Sequence, residues 1–211
     1  MNDLQTENLT DLQNLKIKND LKLISLFTKF GKELDCRVLF HGGYAVDGAL
    51  GQITRSHNDI DVQIYSKNAD GENITKQILH KIAEEDNQFL DYSFEEKKQT
   101  PYSRNFYVKF KDGIADIYFI QTKNDPFSKD KIIIKQDGSH TEVQQFETFI
   151  ASLQGINFEA QIPSIEAADK IFKREHRGDP KLAKHEQDIN NLKKIVTEEK
   201  IAEQLDQIMN E

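Results

Sequence analysis

Apolar residues recur at Leu21, Ile24, Phe27 and Phe30, with Leu12 and Leu15 ahead of them. That spacing puts them on one side of a 3.6-residue helix, so an amphipathic helix is expected over residues 12–34. Gly31 either ends it or sits inside its last turn. Val38-Leu39-Phe40-His41 is a short apolar run, expected as a buried strand broken by Gly42-Gly43. Residues 44–50 suit a short helix, with Gly51 as its stop. From Asp59 to Tyr65 the pattern alternates in period two and predicts a second strand. Residues 67–72 read as a polar turn, and Ile74, Ile78 and Ile82 give a helix to residue 85.

The middle of the chain is β-rich in pattern. Strands are expected over 89–94, 105–110 and 114–121, the last two joined by Lys111-Asp112-Gly113, since Asp-Gly between apolar runs is a strong hairpin signal. Residues 131–135 and 158–162 are shorter candidates. After Pro163 the pattern turns helical. Ser164 is the expected N-cap, with Glu166 and Asp169 near the positive helix end and the helix reaching residue 174. Gly178-Asp179-Pro180 interrupts it, Pro180 opens a helix through Leu192 and Ile195, and a last amphipathic helix covers 198–209. The fold class expected is α+β: a mixed sheet flanked by helices, in a core over residues 1–145 that includes the N-terminal helix. A mainly helical part over 146–211 is expected to complete the substrate cleft.

At 211 residues the chain can bury a core without disulfides. Its one cysteine, Cys36, excludes an internal disulfide framework and a Cys-rich zinc site, and is expected as a buried small hydrophobe. No apolar run approaches the ~18 residues of a membrane span. The first residues lack a basic stretch followed by an apolar one, so a cytoplasmic protein with no membrane partner is expected, as monomer or homodimer. The net charge of −8 opposes general affinity for nucleic acid, which needs Lys and Arg against phosphate, and suits a cationic small molecule better.

Chemistry concentrates in His41-Gly42-Gly43-Tyr44-Ala45-Val46-Asp47 and Arg55-Ser56-His57-Asn58-Asp59-Ile60-Asp61. Residues i and i+2 of a strand share a face, so Asp59 and Asp61 stand side by side. Like charges this close raise one another's pKa and call for a cation; hard oxygen donors favour Mg²⁺. Paired carboxylates with Mg²⁺ serve displacement at phosphorus. Taken alone, Asp-x-Asp reads sooner as a solvated strand end, since charged residues are mostly exposed; its neighbours shift the reading toward a metal site. A third acid, Asp116, interrupts Ile114-Ala115-Asp116-Ile117-Tyr118-Phe119-Ile120, where burial is costly unless the group is paired or metal-bound. Gly42-Gly43, between a strand and a helix, either lets backbone N–H groups approach a phosphate or makes an ordinary tight turn. No Walker sequence and no Gly-x-Gly-x-x-Gly is present.

Gly-Gly-Tyr-Ala-Val-Asp followed by Thr-Arg-Ser-His-Asn-Asp-Ile-Asp resembles the nucleotidyltransferases of the DNA polymerase β superfamily. More narrowly it resembles the small antibiotic nucleotidyltransferases, aminoglycoside 2″-adenylyltransferase and the lincosamide nucleotidyltransferases. Ala115-Asp116-Ile117-Tyr118 resembles their Leu-Asp-Ile-His segment, with the third carboxylate. Pro163-Ser164-Ile165-Glu166-Ala167 and Lys184-His185-Glu186-Gln187-Asp188-Ile189-Asn190-Asn191-Leu192 are similar to their C-terminal helices. Two departures stand out: Tyr44 replaces the usual Trp, and Tyr118 the usual His.

The resemblance implies transfer of a nucleoside monophosphate, AMP from ATP as the expected NTP, to a hydroxyl of an aminoglycoside or lincosamide. Asp59, Asp61 and Asp116 would be catalytic and hold Mg²⁺, with Asp116 either a ligand or the base. Gly42, Gly43, Arg55 and His57 would bind the nucleotide, Arg55 and His57 at the phosphates unless they are a surface cation and a loop brace. Asp47 is expected to orient the loop or Arg55. Lys170, Lys173, Arg174, His176 and Arg177 form a basic stretch, expected as a solvated face, with the nucleotide as the alternative. Two competing readings are a nucleotidyltransferase acting on a protein or tRNA, of toxin–antitoxin type, and a non-catalytic nucleotide-binding module on the same fold.

Overall fold

The computed structural model describes residues 10–65, 71–99, 103–111, 116–122, 131–134, 140–144, 147–176 and 182–209. The chain opens with α1 (Asp11–Glu33), started by a capping box in which Thr10 Oγ1 accepts from Gln13 N–H and the Gln13 side chain accepts from Thr10 N–H. Gly31 lies inside its last turn, where a Cβ would stand 2.3 Å from Val38 Cγ2, so the helix end and the next strand approach closely there. Then follow β1 (Arg37–His41), α2 (Gly42–Leu50), β2 (Ile60–Tyr65) and α3 (Gly71–Glu85). Gly51 ends α2 in the left-handed conformation, as expected of a helix-stopping glycine.

Where a strand is expected from residue 89, the chain instead makes a short 3-10 turn at Asn87–Phe89, because the Asp86 side chain caps Gln88 N–H. The strand β3 (Tyr92–Gln99) starts later and runs further. β4 (Ser103–Phe110) and β5 (Asp116–Thr122) pair antiparallel. The expected Asp112-Gly113 turn lies outside the described residues, as do the 67–70 part of the first polar turn and Gly178-Asp179-Pro180. β6 (Lys131–Ile134) and β7 (His140–Gln144) form a separate two-stranded sheet.

β8 (Thr148–Leu153) is a strand the sequence pattern did not disclose: Ala151 and Leu153 are buried but Ile150 faces out. It returns through Gln154 and Gly155, both at positive φ, into β9 (Ile156–Gln161), a two-residue hairpin turn. The main sheet has the order β3-β4-β5-β2-β1-β9-β8, so strand pairing continues to Gln161. β5 is parallel to β2, and β9 to β1; the other pairs are antiparallel. The expected mixed α+β architecture is therefore present.

The wholly helical part comprises α4 (Pro163–His176), α5 (Leu182–Leu192) and α6 (Glu198–Met209). Ser164 is not the N-cap of α4. Pro163 is its first residue and the Ile162 carbonyl accepts from Glu166 N–H, the arrangement a proline without an N–H prefers. α5 stops at Leu192, short of Ile195. One core, including Phe27, Phe40, Ile60, Ile78 and Phe106, fills the space between the sheet, α1 and α3. A second, of Val46, Ala167, Ile171, Ile189, Leu192 and Ile201, fixes α4, α5 and α6 against α2. Cys36 is buried and reduced. Among the described residues no helix is long and apolar enough to cross a membrane.

Candidate active site

β1 and β2 run antiparallel with His41 opposite Asp61, so the end of one strand meets the start of the other. The chain must turn there into α2 without striking the acid. Gly42 does this at φ +66°, and a Cβ on it would stand 2.1 Å from Asp61 Oδ2. A Cβ on Gly43 would stand 2.0 Å from His57 Nδ1. Both glycines are thus required by close contacts, one with an acid and one with an imidazole.

Asp59 and Asp61, two residues apart at the mouth of β2, are both half-buried. Burial pushes the Asp61 carboxyl up, and the charge of Asp59 pushes it further; Lys173, His41 and Lys170 oppose them. The pair is short of positive charge and offers hard oxygen donors, which fits a divalent cation. Among the described residues no group of three or more His, Cys, Asp or Glu side chains is gathered as a metal site. For Asp116 the structure describes the backbone. It opens β5, one residue before Ile117, which pairs in parallel with Ile60, so its strand position lies at the same end of the sheet as the acid pair.

The loop between α2 and β2 is held from inside. Asp47, on α2 and fully buried, accepts from Thr54 N–H (3.1 Å), Thr54 Oγ1–H (2.6 Å) and His57 Nε2–H (2.6 Å). Asp47 therefore orients the loop rather than Arg55. The His57 ring lies 4.5 Å from that of Tyr44, whose hydroxyl donates to Asp20 Oδ2 on α1 at 2.6 Å. Arg55 is 5% exposed and turned toward α5: its Nε and Nη2 donate to Asp188 at 3.1 and 2.7 Å, and its Nη1 to the Ser56 carbonyl. Arg55 is thus not a surface cation, and His57, 3% exposed, is buried against Asp47.

The helical part reaches the same place. Glu166 accepts from Gly42 N–H at 3.0 Å and lies 3.7 Å from His41 Nδ1. It caps α2, whereas its position in the sequence suggests service to its own helix. Burial pushes its carboxyl up, against Lys170 and His41. His41 itself is held between the side-chain amides of Gln161 (2.8 Å) and Gln63 (2.7 Å). Of the basic stretch, Lys170 is not on a solvated face: it is 5% exposed, with Nζ 3.0 Å from Asp188 Oδ2. Lys173 pairs with Asp169, and Arg174 with Glu175 and Glu186 nearer solvent. Arg177 lies outside the described residues.

Three acids, Asp20, Glu166 and Asp188, belong to this network without having been singled out as site residues. The available signal was an acid at an apolar helix position: Asp20 beside Leu21 and Asp188 beside Ile189.

No match is found among curated protein sequences. Solved structures share the fold at low identity. The crystal structure of ANT(2″)-Ia in complex with adenylyl-2″-tobramycin superposes with a TM-score of 0.60 at 14% identity, covering 90% of this chain and 97% of that one. The lincomycin-bound lincosamide antibiotic adenylyltransferase LnuA gives 0.54 at 16%, covering 90% and 100%. JHP933 from Helicobacter pylori gives 0.51 at 15%, covering 95% and 75%. The acid pair and Gly-Gly turn thus sit on a polymerase β-like nucleotidyltransferase fold. With the family profile matching residues 22–192, from α1 to the end of α5, the chain belongs to the aminoglycoside-2″-adenylyltransferase family.

Proposed function

We propose that this protein transfers a nucleoside monophosphate, AMP from ATP, to a hydroxyl of an aminoglycoside or lincosamide. The observation that carries the proposal is the Gly42–Asp61 juxtaposition, in which a strand-to-helix turn without side chains lies against paired carboxylates. Asp59 and Asp61 would hold Mg²⁺, with Asp116 as a third ligand or as the base. The ion would supply Lewis-acid stabilisation of charge at the transferring phosphoryl group.

In the reaction, the acceptor oxygen bonds to the α-phosphorus, the bond to the β-phosphate bridging oxygen breaks, and pyrophosphate leaves. The hydroxyl proton passes to a carboxylate of the acid set. The α2 N-terminus, with Gly42 and Gly43, faces the phosphates. Arg55 and His57 serve nucleotide binding by fixing the loop between that turn and the acids, and the helical part closes the acceptor side of the cleft. The acidic net charge favours a cationic acceptor, and both antibiotic classes carry amines.

The test is incubation with each Mg·NTP and a panel of aminoglycosides and lincosamides, followed by mass spectrometry for a nucleotidyl adduct. An adenylylated antibiotic is expected. Mg·ATP binding with no adduct on any acceptor of either class would remove the acceptor assignment.

A further inference from the structure

The segment carrying the site is held at both ends by buried carboxylates of the helical part. At one end Glu166 accepts from Gly42 N–H. At the other, Asp188 accepts two bonds from the Arg55 guanidinium. Lys170, one turn after Glu166 on α4, joins the two ends by its ion pair with Asp188. Asp188 is fully buried, and Glu166, Arg55 and Lys170 are at most 5% exposed, so no solvent competes for these bonds. Burial would push the Asp188 carboxyl up, but Lys170 and Arg55 outweigh it and hold it below the usual carboxylate range.

Residues 51–59 contain no helix or strand and lead straight into Asp59. Asp47 holds this stretch from α2, its own neighbour in sequence. Asp188 holds it from α5, and only a planar, bidentate pair fixes both the distance and the direction of Arg55. We infer that Asp188 is a positioning residue for the acid pair: through Arg55 it sets the place of Asp59 against Asp61, so that α5 governs how tightly the site holds its divalent cation. The inference rests on the reading that Asp59 and Asp61 bind that cation.

The test uses the full chain and Mn²⁺ as the probe, its binding followed by electron paramagnetic resonance with a non-hydrolysable ATP analogue present. Asp188→Asn keeps the shape but removes the charge, and should weaken Mn²⁺ binding by about 10–100-fold, the usual cost of losing a group that orients metal ligands. Arg55→Lys keeps the charge but loses the fork, and should weaken binding in the same direction. Asp188→Glu should recover part of the affinity. The double variant Asp188→Asn/Arg55→Gln should be no weaker than Asp188→Asn alone, because both act through one bond pair.

A purely structural role would lower the melting temperature and leave the affinity of the folded protein unchanged. That result in Asp188→Asn overturns the inference, and if Asp188→Asn fails to fold, the same result in Arg55→Lys does so. Asp61→Asn separates the two readings. If it abolishes Mn²⁺ binding while the Asp188 and Arg55 variants bind normally, the inference alone fails. If Asp61→Asn also binds normally, the metal reading of the acid pair fails with it.

Discussion

Gly42 and Asp61 are in contact across the β1–β2 pair, with only 2.1 Å between the acid's Oδ2 and the place a Cβ would take on the glycine. Gly42→Ala therefore meets two penalties, the left-handed backbone at φ +66° and displacement of Asp61. The first costs about 1–2 kcal/mol of stability. The second should lower turnover on the order of 10²-fold, since an ångström of misplacement is enough. Gly51→Ala is the control: its φ is +71° but nothing lies within 4 Å, so it should lose similar stability and keep its turnover per folded molecule. Denaturant midpoints and kcat for the two variants check this; equal kcat would break the link between the turn and the acid.

Gly43→Ala should act through a different residue. Its Cβ would strike the His57 imidazole, a side chain held on Asp47. The expected outcome is a rise in the KM for Mg·ATP with a smaller stability loss than Gly42→Ala, because no positive φ is involved. Calorimetry of Mg·ATP binding measures it, and unchanged affinity would make Gly43 a packing requirement alone.

Asp61 also gives a signed pH dependence in metal-free buffer. Its folded carboxyl is raised by burial and by Asp59, so the folded state holds its proton to higher pH than the unfolded state. Stability from this group is fully present below the unfolded value, about 3.9, and is lost as pH rises through the raised folded value. Asp61→Asn escapes that loss. It should melt higher than wild type at neutral pH, with the advantage shrinking in acid, while turnover falls to background. A variant less stable than wild type at neutral pH without metal would contradict the charge-repulsion account.

Tyr44 and Asp20 form a buried pair that ties α2 to α1. The Asp20 carboxyl is raised by burial, against Lys16 and the Tyr44 hydroxyl. Tyr44→Phe removes a bond to this acid and should cost about 1.5–3 kcal/mol, the range for a hydrogen bond to a charged group. It also removes an influence that lowers the Asp20 pKa. The decline in stability with rising pH should therefore extend to higher pH in the variant than in wild type. Urea midpoints measured from acid to neutral pH show whether the two curves separate; parallel curves would mean that Asp20 does not titrate with Tyr44.

The parts of this site that were legible in the sequence are those made by neighbours along the chain. The Asp59–Asp61 spacing follows from strand period, and Gly42-Gly43 from the strand-to-helix change, both within one local segment. Asp188 on Arg55 and Glu166 on Gly42 join residues more than 120 positions apart, and nothing in the local pattern of α4 or α5 signals which loop those acids serve. β8 escaped notice for a related reason: as an edge strand it exposes Ile150, so its apolar run does not alternate as a half-buried strand should. Ser164 was misplaced because proline at the first helical position, one residue earlier, takes over the start of α4.

Asp116 offers the sharpest division between possible roles for an acid of the site. Its strand position precedes Ile117, the partner of Ile60, so β5 brings a third acid to the end of the sheet where Asp59 and Asp61 lie. If Asp116 is the base, Asp116→Asn should bind Mg·ATP and acceptor normally, yet lose turnover by the ~10²–10⁴ typical of removing a general base. The acidic limb of its pH–rate profile should vanish. If Asp116 is a metal ligand, nucleotide binding should weaken as it does for Asp59→Asn and Asp61→Asn. We expect a mixed result, weaker Mg·ATP binding together with a turnover loss larger than that binding change explains, because the strand position of Asp116 lies at the end of the sheet that carries Asp59 and Asp61. Calorimetry with Mg·ATP and single-turnover rates on the same preparation separate the contributions. Full activity in Asp116→Asn would remove it from the site and leave Asp112, four residues earlier in the sequence, as the next acid to replace.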